Sequence, residues 1–124
     1  MLVFKNLEEM EPYLDKKTDT YRFEDVVQFC FDLRSDSNIS AWDINAWNID
    51  AGDINAWNID AADIDATDID AANINYYAVC IAYQTFSCMS VRGKRKNAIH
   101  ACLDGEIEYK EMSVREEKGE AADV

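Results

Sequence analysis

Lysine and arginine are absent from the middle of the chain. Neither occurs between Ser35 and Val91, whereas nine aspartates do. The whole chain of 124 residues carries a formal charge of −13. Because binding to nucleic acid requires a basic surface that neutralises phosphates, this composition argues against direct nucleic-acid binding. It favours an acidic surface that meets a basic protein partner.

Signatures of catalysis and of metal binding are also lacking. His100 is the only histidine, no motif pairs it with a serine or cysteine nucleophile, and no glycine-rich phosphate loop is present. The cysteines are widely spaced and form no Cys-x-x-Cys pair, so we expect reduced, buried thiols at Cys30, Cys80, Cys88 and Cys102. Carboxylate oxygens suit calcium, but the glycine-rich pattern of calcium-binding β-rolls is missing. We expect no enzyme activity, no metal and no cofactor.

Long hydrophobic runs are missing as well. No apolar stretch is long enough to span a membrane, and acids interrupt the first ten residues where a signal peptide would stay apolar. We therefore expect one domain in the cytoplasm of a bacterium or of a phage-infected cell, with no membrane association.

A five-residue pattern dominates what is present, from residue 37 to residue 91. Isoleucine stands at every fifth position from 39 to 74, alanine follows two places after each of the first seven isoleucines, and Asp, Asn or Ser flanks each isoleucine. Such a period indicates a repeat architecture. Residues two apart in an extended segment point the same way, so isoleucine and alanine should line a closed interior. Trp42, Trp47 and Trp57 share their position with Gly52, and a close-packed interior would not hold both sizes, so they should lie outside.

The segments around the repeat follow other patterns. Residues 1–36 predict an N-terminal cap, with a short helix from Leu7 to Met10 after Asn6 and one strand that alternates from Val27 to Leu33. The isoleucine column is expected to continue through Val79, Gln84 and Met89, in a coil that widens or changes shape at Tyr76, where large residues replace alanine.

The end of the chain predicts a second cap and a tail. Asp104-Gly105 is a hairpin signal between two alternating strands, so residues 92–110 are expected to form a C-terminal β-hairpin cap. Residues 111–124 are polar and charged and predict a flexible acidic tail.

The repeat resembles the pentapeptide-repeat family, whose pattern is Ala, then Asp or Asn, then Leu or Phe, with two further residues. The resemblance implies an all-β fold, a quadrilateral β-helix with four pentads in each coil. The register here is atypical, because the alanine follows isoleucine by two places. Four pentads per coil would stack residues twenty apart, with rungs about 4.8 Å apart. Trp57 would then lie near Tyr77, and Asp43 over Asp63.

The same resemblance implies a function. Some pentapeptide-repeat proteins resemble B-form DNA in shape and charge, and inhibit DNA gyrase by occupying its DNA site. We therefore expect a non-enzymatic DNA-mimic inhibitor of a basic nucleic-acid-binding enzyme. Gyrase inhibition and phage-encoded counter-defence against restriction or CRISPR nucleases are concrete versions. The expected protein-binding residues are Asp43, Asp50, Asp53, Asp60, Asp63, Asp65, Asp68, Asp70, Trp42, Trp47 and Trp57.

Two alternatives stay open at this stage. Exposed tryptophans mark binding surfaces, but these three could instead pack against the N-terminal segment or the tail. The alternative is a structural or assembly module that self-associates through its β-helix, for example as a homodimer. The basic turn at 92–96 would then meet acidic residues on a neighbour.

Overall fold

The chain folds as a β-solenoid of about five turns, which confirms the predicted all-β fold. The computed structural model describes residues 1–110, and the predicted acidic tail, 111–124, lies outside them. The described part contains one 3-10 helix, Leu7–Tyr13. Its strands are β1 (Leu2–Phe4), β2 (Leu14–Asp15), β3 (Thr20–Arg22), β4 (Val26–Phe29), β5 (Leu33–Arg34), β6 (Asn38–Ser40), β7 (Asp43–Asn45), β8 (Asn48–Cys88), β9 (Ser90–Gly93), β10 (Ile99–Cys102) and β11 (Ile107–Tyr109). Strand β8 continues around the corners of the coil.

Three pentads, not four, make one turn of the regular solenoid. Strands β6 and β7 both pair in parallel with β8, so that Ile39 lies opposite Ile54 and Ile44 opposite Ile59. Partners are thus fifteen residues apart. Each turn has three sides, with one isoleucine on each side and an alanine beside each corner.

The predicted four-pentad coil is therefore wrong, together with the contacts derived from it. Asp43 lies opposite Asn58 rather than over Asp63, and Trp57 is bonded to Trp42, one turn earlier, rather than to Tyr77. The physical reason is the size of the interior. Isoleucine and alanine fill only a narrow space at the packing density of protein cores, and three sides enclose that space.

The interior consists of isoleucine and alanine, as predicted. The eight isoleucines from 39 to 74 are at most 2% exposed. The alanines at 41, 51, 56, 61, 66 and 71 are at most 7% exposed, and Ala46 is half-buried. Burial of each isoleucine side chain contributes about 1.5–3 kcal/mol, so this column is the main source of stability in the rod.

The coil widens after Tyr76, as the larger side chains predicted. Ile74 pairs with Val91, 17 residues later, whereas Phe86 pairs with Ile107, 21 residues later. Tyr76 is fully buried, and its ring occupies the space that an alanine fills in the earlier turns.

The predicted continuation of the isoleucine column beyond Ile74 is wrong. From Tyr76 to Ala82 every second residue is buried (Tyr76, Ala78, Cys80 and Ala82), whereas Val79 is only half-buried and Gln84 is exposed. In the wider coil, inward and outward side chains alternate along a longer side. The inward positions therefore no longer recur every five residues.

Residues 1–36 form the irregular N-terminal part of the solenoid, in which β1 pairs in parallel with β4, 25 residues later. The helix is longer than predicted and ends at Tyr13, and the Asn6 side chain accepts from the Glu9 N–H at 3.1 Å. The single strand predicted from Val27 to Leu33 is two strands, β4 and β5, which pair with β7 and β8 respectively. The antiparallel pair β2–β3 lies at the outer edge of the sheet.

The predicted C-terminal hairpin is wrong. Strands β10 and β11 both pair in parallel with β8, not with each other. Asp104 and Gly105 form a corner between two sides of the coil, where the Asp104 N–H donates to the Tyr83 carbonyl at 2.9 Å. The exposed edge of β8 offers a partner to both strands, and this long-range pairing prevails over the local turn preference.

Candidate binding surfaces

The outward side chains of the regular turns form three faces. The amide face comprises outward positions 43, 45, 58, 60, 73 and 75. The first acidic face comprises 48, 50, 63 and 65, and the second acidic face comprises 38, 40, 53, 55, 68 and 70. The predicted aspartates are therefore divided: two lie on the amide face and three on each acidic face.

A ladder of side-chain hydrogen bonds runs along the amide face. Asn58 Nδ2 donates to Asp43 Oδ1 at 3.0 Å, and Asn73 Nδ2 donates to Asn58 Oδ1 at 3.0 Å. Ser90 Oγ then donates to Asn73 Oδ1 at 2.8 Å. Each amide uses both its donor and its acceptor, so the ladder holds successive rungs in one register.

A second row on the amide face has balanced charge. Parallel pairing aligns Gln28 with Asn45, Asn45 with Asp60, and Asn75 with Arg92. Lys94 Nζ approaches Asp60 Oδ1 at 3.8 Å. Two cations thus offset the two aspartates of this face.

The first acidic face contains one aspartate with restricted access. Asp65 Oδ2 accepts from the Tyr83 hydroxyl at 3.2 Å, while Asp65 Oδ1 is buried and has no hydrogen-bond partner among residues 1–110. The hydrogen bond to the carboxylate raises the pKa of Tyr83. Asp50 and Asp63, by contrast, are exposed.

The second acidic face places two carboxylates side by side. Burial, followed by the hydrogen bond and the charge of Asp68, raises the pKa of Asp53. Asp68 Oδ1 also accepts from the Thr85 N–H at 3.0 Å and from Thr85 Oγ1 at 2.8 Å. Asp70 forms an ion pair with Lys110.

The three tryptophans are outside, as predicted, and residues 1–110 leave them uncovered. Trp42 is 56% exposed, and Trp47 and Trp57 are each 72% exposed. Trp42 and Trp57 lie on successive turns at one corner of the amide face, where the Trp57 backbone N–H donates to the Trp42 carbonyl at 2.7 Å. Trp47 stands at the other corner of that face and lines a shallow cleft.

The chain matches no protein-family model, no curated protein and no solved structure. The solenoid thus rests on the structure itself, and the pentapeptide-repeat family remains a resemblance.

The cysteines and the histidine have structural surroundings. Cys80, Cys88 and Cys102 are buried as expected, but Cys30 is exposed, because it lies just beyond β4 and its side chain points away from the interior. His100 Nδ1 shares a hydrogen bond of 2.6 Å with the buried Tyr76 hydroxyl. The sequence did not predict this pair, because it depends on the alignment of β10 with β8.

Residues 1–110 have neither a cluster of metal-ligating side chains nor a membrane-spanning helix. This part of the chain contains no group of three or more His, Cys, Asp or Glu side chains that could hold a metal ion. Its helix is also too short and too polar to cross a membrane.

Proposed function

We propose that this is a non-enzymatic acidic protein whose two acidic faces occupy the DNA-binding surface of a basic nucleic-acid-binding enzyme. The observation that supports the proposal is the position of six aspartates on two faces that meet at one edge. That edge contains Gly52 and Thr67 instead of tryptophan, so the acidic surface continues around it.

The spacing of the carboxylates suits a basic partner. Neighbouring rungs are about 4.8 Å apart, so charges at the same position on successive turns repel. Asp53 and Asp68 are such a pair: after desolvation, the hydrogen bond and the charge of Asp68 contribute to the raised pKa of Asp53. Lysine and arginine side chains of a partner relieve this repulsion, and binding should weaken as salt screens the charges.

The test is competition with DNA, using DNA gyrase, a restriction nuclease and a CRISPR nuclease as a panel. We expect at least one enzyme to be inhibited at low salt and to recover as salt or DNA is added. The double variant Asp53→Asn/Asp63→Asn changes one exposed aspartate on each acidic face and should weaken inhibition. The matched control, Asp43→Asn/Asp60→Asn, makes the same charge change on the amide face and should inhibit like the unmodified protein.

Two results would count against this function. One is the absence of inhibition across the panel. The other is equal inhibition by both double variants, because charge on the acidic faces would then not be the basis of binding.

A specific feature also favours self-association as a second candidate. In the wide part of the solenoid, Ile99 is 58% exposed and Leu103 is 59% exposed, next to the exposed basic turn that begins at Arg92. Exposed apolar patches beside charge mark interfaces between proteins. Light scattering over a range of concentrations should show a mass above 14.2 kDa if this candidate is right. A constant monomer mass would reject it.

A further inference from the structure

A shallow cleft of about 310 Å³ lies at one edge of the amide face. It is lined by Gln28, Phe29, Cys30, Asn45, Ala46, Trp47 and Asp60. None of its features contributes to the acidic faces, so the cleft needs a separate explanation.

The floor of the cleft is a row of hydrophilic side chains on three successive turns. Gln28 pairs with Asn45, and Asn45 pairs with Asp60, in parallel register. All three side chains are exposed. Within residues 1–110, Gln28 and Asn45 make no side-chain hydrogen bond, so their amides can both donate to and accept from a ligand.

The wall of the cleft is aromatic. Trp47 is 72% exposed, so much of its indole ring is accessible. An indole offers a large, rigid apolar surface with few torsions to fix on binding.

The charge of the cleft restricts the class of ligand. Asp60 is its only ionisable acid, and Lys94 lies 3.8 Å from that carboxylate. This balance suits neither a phosphate nor a strongly cationic ligand. A protein partner would anchor apolar side chains in a desolvated pocket, but this cleft is open and its floor is polar.

We propose that the cleft binds a neutral saccharide built from pyranose rings. A pyranose ring has an apolar C–H face, which stacks on Trp47, and a rim of hydroxyl groups, which hydrogen-bond to Gln28, Asn45 and Asp60. Rungs repeat about every 4.8 Å along the face, so a chain of sugars can bind to more than one rung.

The test is electrophoresis in native gels that contain hydroxyethylcellulose, xylan, galactomannan or glycogen, with alginate as the anionic comparison. At least one neutral polysaccharide should retard the protein, and titration calorimetry with the matching oligosaccharide should give saturable binding. Trp47→Ala should weaken that binding by about tenfold or more, a change that corresponds to about 1.4 kcal/mol. Asn45→Ala, a smaller change at an exposed position, should also weaken it.

Trp57→Ala is the matched control. Trp57 has the same exposed fraction as Trp47 but stands at the opposite corner of the amide face and does not line the cleft. This variant should bind the saccharide like the unmodified protein. Circular dichroism should show the same β signal for all three variants.

Three outcomes would overturn the proposal: no retardation by any neutral polysaccharide, retardation by alginate alone, or an equal loss in the Trp47 and Trp57 variants. The inference is independent of the acidic faces. Asn45→Ala, which changes a cleft residue that is not among the expected protein-binding residues, should leave inhibition of a DNA-binding enzyme unchanged, so either proposal can fail without the other.

Discussion

Asn58 and Asp43 lie fifteen residues apart and are joined by a hydrogen bond of 3.0 Å from Asn58 Nδ2 to Asp43 Oδ1. Asn73 repeats this contact on Asn58. In this column, asparagine therefore stands on the turns that follow Asp43, and no second carboxylate faces that aspartate. A coil of twenty residues would instead have placed Asp43 over Asp63, and like charges opposite each other destabilise a sheet.

The ladder should contribute measurably to stability. Asn73 donates to Asn58 and accepts from Ser90, so Asn73→Ala removes two hydrogen bonds and should lower the free energy of unfolding by about 1–3 kcal/mol. Asn75→Ala is the control, because Asn75 is exposed and makes no side-chain hydrogen bond among residues 1–110; it should cost less than about 0.5 kcal/mol. Urea unfolding measures both. Equal losses would mean that the ladder has no special role.

Asp53→Asn should stabilise the protein at neutral pH. The pKa of Asp53 is raised above 3.8 in the fold, so its protonated form is favoured. Its contribution to stability is fully present below pH 3.8 and is lost as the pH rises through the folded value. We expect a gain of up to about 1 kcal/mol at pH 7, limited by solvent screening, and little change at pH 3.

Chemical unfolding at several pH values tests this expectation. Asp63→Asn is the control, because Asn48, not a carboxylate, stands fifteen residues before Asp63. A gain that is the same at pH 3 and pH 7, or larger for the control, would argue against repulsion between Asp53 and Asp68.

Gly93→Ala should destabilise the wide part of the solenoid. A Cβ atom on Gly93 would overlap the Ala98 Cβ and would lie 2.8 Å from the Tyr76 hydroxyl, which hydrogen-bonds to His100. Overpacking of this kind costs about 1–3 kcal/mol. A Cβ on Gly105 meets nothing within 4 Å, so Gly105→Ala is the control in thermal unfolding. A melting temperature unchanged by Gly93→Ala would show that Ala98 and Tyr76 can move aside without loss of stability.

Thiol labelling should distinguish the cysteines. Burial raises the pKa of Cys80 to about 12 and also raises that of Cys88, and only the thiolate form reacts. In the native protein we expect Ellman's reagent to react rapidly with Cys30 alone, and with all four cysteines in denaturant. Rapid reaction of a second thiol without denaturant would show that the wide coils open.

The sequence predicts which side chains of a pentad point inward better than it predicts how many pentads make one turn. Isoleucine and alanine two places apart decide which side chains are inside, because strand alternation is local. The number of pentads per turn depends on interior volume and corner geometry, which no single pentad reveals. The division of the aspartates among faces follows from that number, so the separation of Asp53 from Asp43 could not be predicted.

In the C-terminal part, too, the local sequence does not predict which strands pair. The turn preference of Asp104-Gly105 is local, but the strands on either side of it, β10 and β11, both pair with β8. His100 lies near Tyr76 for the same reason, since Ile99 is aligned with Val79. Exposure of Trp47 was predictable from the volume mismatch with Gly52, whereas its cleft required the alignment of Gln28 with Asn45.

The turn of three pentads also restricts how the gene can change in length. Loss or gain of fifteen codons within the regular repeat removes or adds one whole turn, and every later side chain keeps its face. Loss of five codons would move each later side chain to the next side of the rod and break the Asn58–Asp43 contact. Recombination between repeats should therefore be tolerated in steps of three pentads, and related chains should differ in length by multiples of fifteen residues.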